Sequence, residues 1–192
     1  WNSIVNIVKG QLGRQAYSAP YCFNDMDMLI VGMNGNGNVG MGGCTYEEYK
    51  LHFAFWCFFG SPLMIGGDIR SMSDEYLELL SNKDLLRINQ DKAYCQPFII
   101  DKREKAEEPS PYFYKSYPEK DIVKIAKYLD DGKIAIGVSN LSEAPTSPTM
   151  IFLYPEFFGL PTGCGKYLSA RNIFTGEVSD TKVSPLLADA LA

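Results

Sequence analysis

The chain has a single histidine, His52, among 192 residues, and none of its cysteines falls in a CxxC pair. A histidine-rich metal centre is thereby excluded. Five cysteines (Cys22, Cys44, Cys57, Cys95, Cys164) cannot all pair within one chain. They read as buried free thiols, which leans toward a reducing compartment, the cytoplasm over an exported location. No Lys/Arg-rich stripe interleaved with aromatics occurs, and a net charge of -5 argues against a nucleic-acid partner. The longest apolar stretch, FAFWCFFGSPLMIGG, is too short and too broken by Gly and Pro to cross a bilayer, so no membrane segment is expected. An initiator Met and a leader are also missing. The first residues, WNSIVNIVKGQL, are already at helical spacing, and the last, SPLLADALA, are apolar, so the chain reads as an excised piece of a longer one.

What is present is ordinary for a globular protein: 46% hydrophobic and 21% charged residues, with twelve Tyr and eleven Phe to fill a core. The length suits one large domain or two small ones. Trp1, Ile4, Val5, Val8 and Leu12 predict a helix over 1–14. YCFNDMDMLIVG is strand-like, and the glycine-rich GMNGNGNVGMGG that follows is a loop near the site and no phosphate cradle, since no Lys-Ser/Thr comes after it. TYEEYKLHFAFWCFF begins with Thr45 and has Glu48 three residues on, a capping box. Tyr49, Phe53, Trp56 and Cys57 then mark its apolar face. PLMIGG is a short buried strand. Ser73 heads a further capped helix, and a short helical piece covers 82–88.

Strands and helices that alternate over short connections predict a βαβ unit and a parallel sheet. The texture changes after about residue 93. KIAIGVSNLS, TMIFLYPEFF and KYLSARNIFTGEVS are short strand candidates between turn residues, which predicts an antiparallel module. DKREKAEEPSP is expected to be an exposed loop, and SNKDLLRINQD to pack between the two modules.

The chemistry candidates are acids. Asp25 and Asp27 sit two apart in the strand-like run, so an extended chain would aim both carboxylates one way. At the C-terminal end of a parallel barrel strand they could hold a ligand's hydroxyls, bind a cation or act as an acid/base pair; alternatively one caps a turn or pairs with an arginine such as Arg70. Glycoside chemistry needs carboxyls on opposite sides of the scissile bond, and one strand end approaches from one side only. The pair is therefore not expected to be the catalytic dyad. Asp68 and Arg70 in MIGGDIR stand at the end of the next strand, as a structural pair or facing ligand. His52, inside the amphipathic helix, reads as a packed or solvated helix residue.

FNDMDMLIVG, TYEEYKLHFAFWCFFGSPLMIGGDIRSMS and LLSNKDLLRINQD, in that order over residues 20–91, resemble the end of the barrel in glycoside hydrolase family 27, the α-galactosidase family. There the seventh strand carries Trp-Asn-Asp-Pro-Asp-Met-Leu, and the eighth Pro-Leu-hydrophobic-Gly-x-Asp-hydrophobic-Arg. An Ile-Asn-Gln-Asp tetrapeptide closes the last helix. Phe23 stands here for the Trp and Met26 for the Pro, and the glycine loop is longer than in the animal enzymes, features like those of a bacterial branch.

The resemblance implies the C-terminal part of a (β/α)8 TIM barrel over 1–92, followed by an antiparallel β-sandwich domain over 93–192. It implies a retaining hydrolysis of terminal α-D-galactosides by two Asp residues, both N-terminal to Trp1, so no catalytic residue and no metal ligand is expected in this chain. By the same resemblance Asp27 and Met28 line the sugar site, Asp25 supports them, and Asp68 and Arg70 are structural near it. No cofactor is implied. The partners implied are a galactoside and the missing N-terminal barrel portion, in the same protein or a second chain; a homo-oligomer is compatible. The same fold acting on α-N-acetylgalactosaminides or β-L-arabinopyranosides, or a non-catalytic carbohydrate-binding module, are the competing readings.

Overall fold

The structure, a computed structural model, describes residues 1–37, 42–100, 121–145, 149–151, 167–182 and 186–188. These form two compact units: Trp1–Phe98 with Lys127–Ala135, and Ile99–Ala126 with Ile136–Ala192. Cys164, the charged 101–111 stretch, part of the glycine loop and most of TMIFLYPEFF lie outside the described residues.

The first unit is helical. Helix α1 (Asn2–Gln11) turns Ile4, Val5 and Val8 inward, as their spacing predicts, and stops short of residue 14. Helix α2 (Tyr46–Phe58) begins on the expected capping box: Thr45 accepts from the Glu48 N–H, and Glu48 accepts from the Thr45 N–H. Its buried surface is wider than the expected stripe. His52, Phe55 and Phe58 are buried along with Tyr49, Phe53, Trp56 and Cys57, so the helix is enclosed nearly all round.

Helix α3 (Asp74–Leu80) has Ser73 at its N-cap, but the side chain makes no capping bond, which corrects the expected cap. Helix α4 (Lys83–Asn89) has a working cap instead: Asn82 Oδ1 accepts from the Asp84 and Leu85 N–H groups, each at 3.1 Å.

The strand-like run around Asp25 and Asp27 is not a continuous strand. It pairs locally through an antiparallel bridge of Cys22 with Ala19 and with a distant segment through a parallel bridge, Leu29 with Ile65, in which the Leu29 N–H donates to Met64 O (2.7 Å) and the Gly66 N–H to Leu29 O (2.8 Å). Extension fails because Asp27 has φ of +77°, in the left-handed region. The two carboxylates therefore do not share a strand face.

The IleAsnGlnAsp motif is an assembly point inside this unit. Asn89 Nδ2 donates to Ser61 O (2.9 Å), and the buried Asp91 accepts from the Ala93 N–H and, through both oxygens, from the Asp130 N–H. Lys127, almost wholly buried, donates to Ile88 O at 2.8 Å. Burial lowers the Lys127 pKa, and the Asp91 carboxylate partly restores it.

Past residue 93 the described elements are all strands: β1 (Phe98–Ile99), β2 (Ile122–Tyr128), β3 (Ile134–Asn140), β4 (Thr149–Ile151), β5 (Tyr167–Arg171), β6 (Val178–Lys182) and β7 (Leu186–Ala188). They make a sheet of order β1-β2-β3 and two antiparallel pairs, β4 with β7 and β5 with β6. The β5–β6 turn closes on Asn172, whose Oδ1 accepts from the Phe174 N–H at 2.9 Å. β2 went unnoticed in the sequence. Of the four described cysteines, all free, only Cys57 is buried; Cys22 is exposed, and Cys44 and Cys95 are half-buried. The expectation of buried thiols thus fits one of them. Among the described residues no helix is long and apolar enough to cross a membrane.

Candidate functional site

The parallel bridge brings the end of one segment, Asp25–Ile30, beside the end of another, Met64–Arg70. Close approach depends on Gly66: a Cβ there would stand 3.2 Å from Leu29 O and 3.4 Å from the Met28 Cβ. Met28 lies over this glycine and is half exposed, as are Phe23, Met64, Ile65 and Ile69.

Five consecutive N–H groups in this stretch each have a partner. Met26 donates to Ser61 Oγ (2.9 Å), Asp27 to Asp25 Oδ1 (2.9 Å) and Met28 to Asp27 Oδ1 (2.7 Å). Leu29 donates to Met64 O, and Ile30 to His52 Nε2 at 3.1 Å. The Asp27 carbonyl in turn accepts from the Trp56 indole N–H at 2.7 Å. Met26 points into the core while Asp25, Asp27 and Met28 are exposed.

Asp68 and Arg70 form a two-pronged pair, with Arg70 Nη2 on Asp68 Oδ2 (2.7 Å) and Nε on Oδ1 (2.9 Å). The Arg70 side chain, followed by its own N–H, holds the Asp68 carboxyl below the usual range. Arg70 is thus taken by Asp68, and Asp25 and Asp27 make no ion pair among the described residues. Asp25 instead holds the chain at Asp27. No group of three His, Cys, Asp or Glu side chains among the described residues could hold a metal ion.

Helix α2 supplies what the sequence reading left out. His52 and Trp56, four residues apart and so on one helix face, touch edge to face at 4.1 Å between centroids, and each bonds the backbone of the Asp25–Ile30 segment. Because Nε2 of His52 accepts, the imidazole is neutral with its proton on Nδ1, a buried atom without a partner. Burial drives the His52 pKa down to about 3. His52 is therefore a packed residue, and its spacing to Trp56 was the available signal.

Glycine-loop residues pack on the same helix. The Asn34 N–H donates to Tyr49 Oη (2.8 Å), and Tyr76 Oη donates to Asn34 Oδ1 (3.2 Å). Gly43 comes so near that a Cβ on it would lie 2.8 Å from the Asn34 carbonyl carbon. An exposed carboxylate set among half-exposed Met and Ile side chains can accept hydrogen bonds from a ligand's hydroxyls while apolar surface packs on its C–H faces.

Residues 1–91 match the family model described as Alpha galactosidase A. Alpha-galactosidase 3 of Arabidopsis thaliana is 43% identical over 91 residues, 47% of this chain and 19% of that protein. A putative alpha-galactosidase/melibiase of Bacteroides fragilis has a crystal structure that superposes with a TM-score of 0.70 at 28% identity, over 97% of this chain and 37% of that one. A GH27 β-L-arabinopyranosidase of Geobacillus stearothermophilus superposes at 0.72 with 21% identity, over 98% of this chain and 39% of that one, and shares the fold. The chain spans about a fifth of the length of the curated relatives it matches. Over residues 1–91, just under half of its length, the chain is thus similar to the alpha-galactosidases.

Proposed function

We propose that this chain is part of a retaining glycoside hydrolase that removes terminal α-D-galactosyl residues from oligosaccharides or glycoconjugates. The observation that carries the reading is the exposed Asp27 carboxylate beside the Leu29–Ile65 parallel bridge, in the stretch the family model covers. Asp27 and Met28 form part of the sugar-site wall, Asp25 braces Asp27, and the Asp68–Arg70 pair shapes the rim. Residues 1–92 are the closing part of a (β/α)8 barrel and 93–192 an antiparallel β-sandwich domain; the parallel bridge supports the first and the β4–β7 and β5–β6 pairs the second. The nucleophile and the acid/base carboxyl come from barrel polypeptide outside these residues, in the same protein or a second chain.

The test is hydrolysis of nitrophenyl α-galactoside. The complete enzyme is expected to turn it over with the α-anomer as first product by NMR, and the isolated 192-residue chain is expected to be inactive. Turnover by the isolated chain would refute the placement of the catalytic pair. Preference for an α-N-acetylgalactosaminide or β-L-arabinopyranoside in a substrate panel would replace the galactoside assignment.

A further inference from the structure

Asp27 is held in its conformation from three directions. Its N–H is bound by Asp25 Oδ1, its C=O by the Trp56 indole, and one of its own carboxylate oxygens by the next N–H. A non-glycine residue at φ +77° stores backbone strain that persists only where the surroundings impose it, and such residues collect at ligand-binding positions. The bonds also set the direction of the carboxylate. With Oδ1 taken by the Met28 N–H, Oδ2 is left as the outward acceptor.

We infer that Trp56 and Asp25 are positioning residues: they clamp Asp27 in the left-handed region so that Oδ2 meets a hydroxyl of the bound sugar. This rests on the glycosidase reading. It goes beyond that reading by assigning a role to Trp56, a core residue with no exposure to solvent. An extended Asp27 would swing its carboxylate away from the direction the Met28 N–H fixes. The indole bond to the carbonyl and the Asp25 bond to the N–H each oppose that swing.

A double-mutant cycle in the complete enzyme tests the clamp. Trp56→Phe keeps one aromatic ring and removes the N–H donor together with part of the buried indole volume, and the loss from that cavity alone would be equal in both backgrounds of the cycle. The substitution is expected to lower kcat/KM for nitrophenyl α-galactoside about tenfold, the effect of losing roughly one directed hydrogen bond. Asp27→Gly removes the carboxylate and accepts positive φ without strain, so kcat/KM falls while Tm holds or rises. Introduced into Asp27→Gly, Trp56→Phe should then change kcat/KM by less than twofold, because the group it positions is gone.

An equal loss from Trp56→Phe in both backgrounds would make Trp56 merely structural and overturn the inference. So would a kcat/KM unchanged by Asp27→Gly. If the unsubstituted complete enzyme hydrolyses no galactoside, the functional reading fails on its own. The clamp is then decided by melting: Asp27→Gly must keep or raise Tm while Asp27→Ala lowers it, and the reverse order overturns it.

Discussion

His52 is the only histidine of the 192 residues and is buried as a neutral acceptor, so within them one residue should dominate the pH response between the carboxylate and amine ranges. Its folded pKa of about 3 lies below the unfolded value of 6.5. The unfolded chain therefore takes up the proton first as pH falls. The stability His52 contributes is complete above pH 6.5 and is lost between there and about 3, with a slope approaching 1.4 kcal/mol per pH unit. Urea unfolding of the complete enzyme and of His52→Gln, which keeps an acceptor for the Ile30 N–H, at pH 7, 6 and 5 should show this slope in the difference between the two proteins. If that difference does not change with pH, the assignment is wrong.

The same residue scale shows how far the sequence could be read. That Asp25 and Asp27 stand together on one short segment was legible from their spacing. Which of them braces the other was not, because it depends on a backbone torsion that no spacing rule encodes. The bond from Ile30 to His52 and that from Trp56 to the Asp27 carbonyl were hidden for a related reason: polar tips on an otherwise apolar helix look like core until the facing backbone is known.

At the scale of elements, helix α2 was the most legible. Its start is written in Thr45 and Glu48, and both reciprocal bonds are formed. Thr45→Ala should cost about 1 kcal/mol in chemical denaturation, and adding Glu48→Ala should cost less than the sum of the single changes, since each bond orders the other. Ser73 has the same residue type at the same kind of position yet makes no cap bond. A composition rule for caps names candidates, and the local chain path decides which of them reach an N–H. The strand-like run was misjudged for a different reason. Alternation of polar and apolar residues over DMDML is equally satisfied by a chain that buries Met26 and Leu29 through successive turns and local bonds.

At the scale of the whole chain, the antiparallel texture after residue 93 was readable from turn residues, whereas the composition of the two units was not. Lys127–Ala135, far along the sequence, belongs to the same unit as α4: Lys127 meets Ile88, Asp130 meets Asp91, and Arg87 pairs with Asp131 at 2.7 Å. Lys133 and Arg87 together hold the Asp131 carboxyl well below its usual range. Lys127→Ala in the complete enzyme should lower Tm more than Lys127→Met, because Met retains the packed stem and both leave Ile88 O without its donor. Equal losses would put the whole effect in the hydrogen bond.

The stitch between Lys127 and Ile88 also dictates an order of events during synthesis. Helices α1 to α4 emerge from the ribosome well before residues 127–135, and domains tend to fold as their residues emerge. Until that later segment arrives, the Ile88 carbonyl of α4 lacks its Lys127 donor and the Asp91 carboxylate has the Ala93 N–H but not that of Asp130, so the nascent first unit is left ajar. A translational pause placed where α4 has left the ribosome but residues 127–135 have not should lengthen its exposure to chaperones and proteases. One placed once that segment has emerged should not.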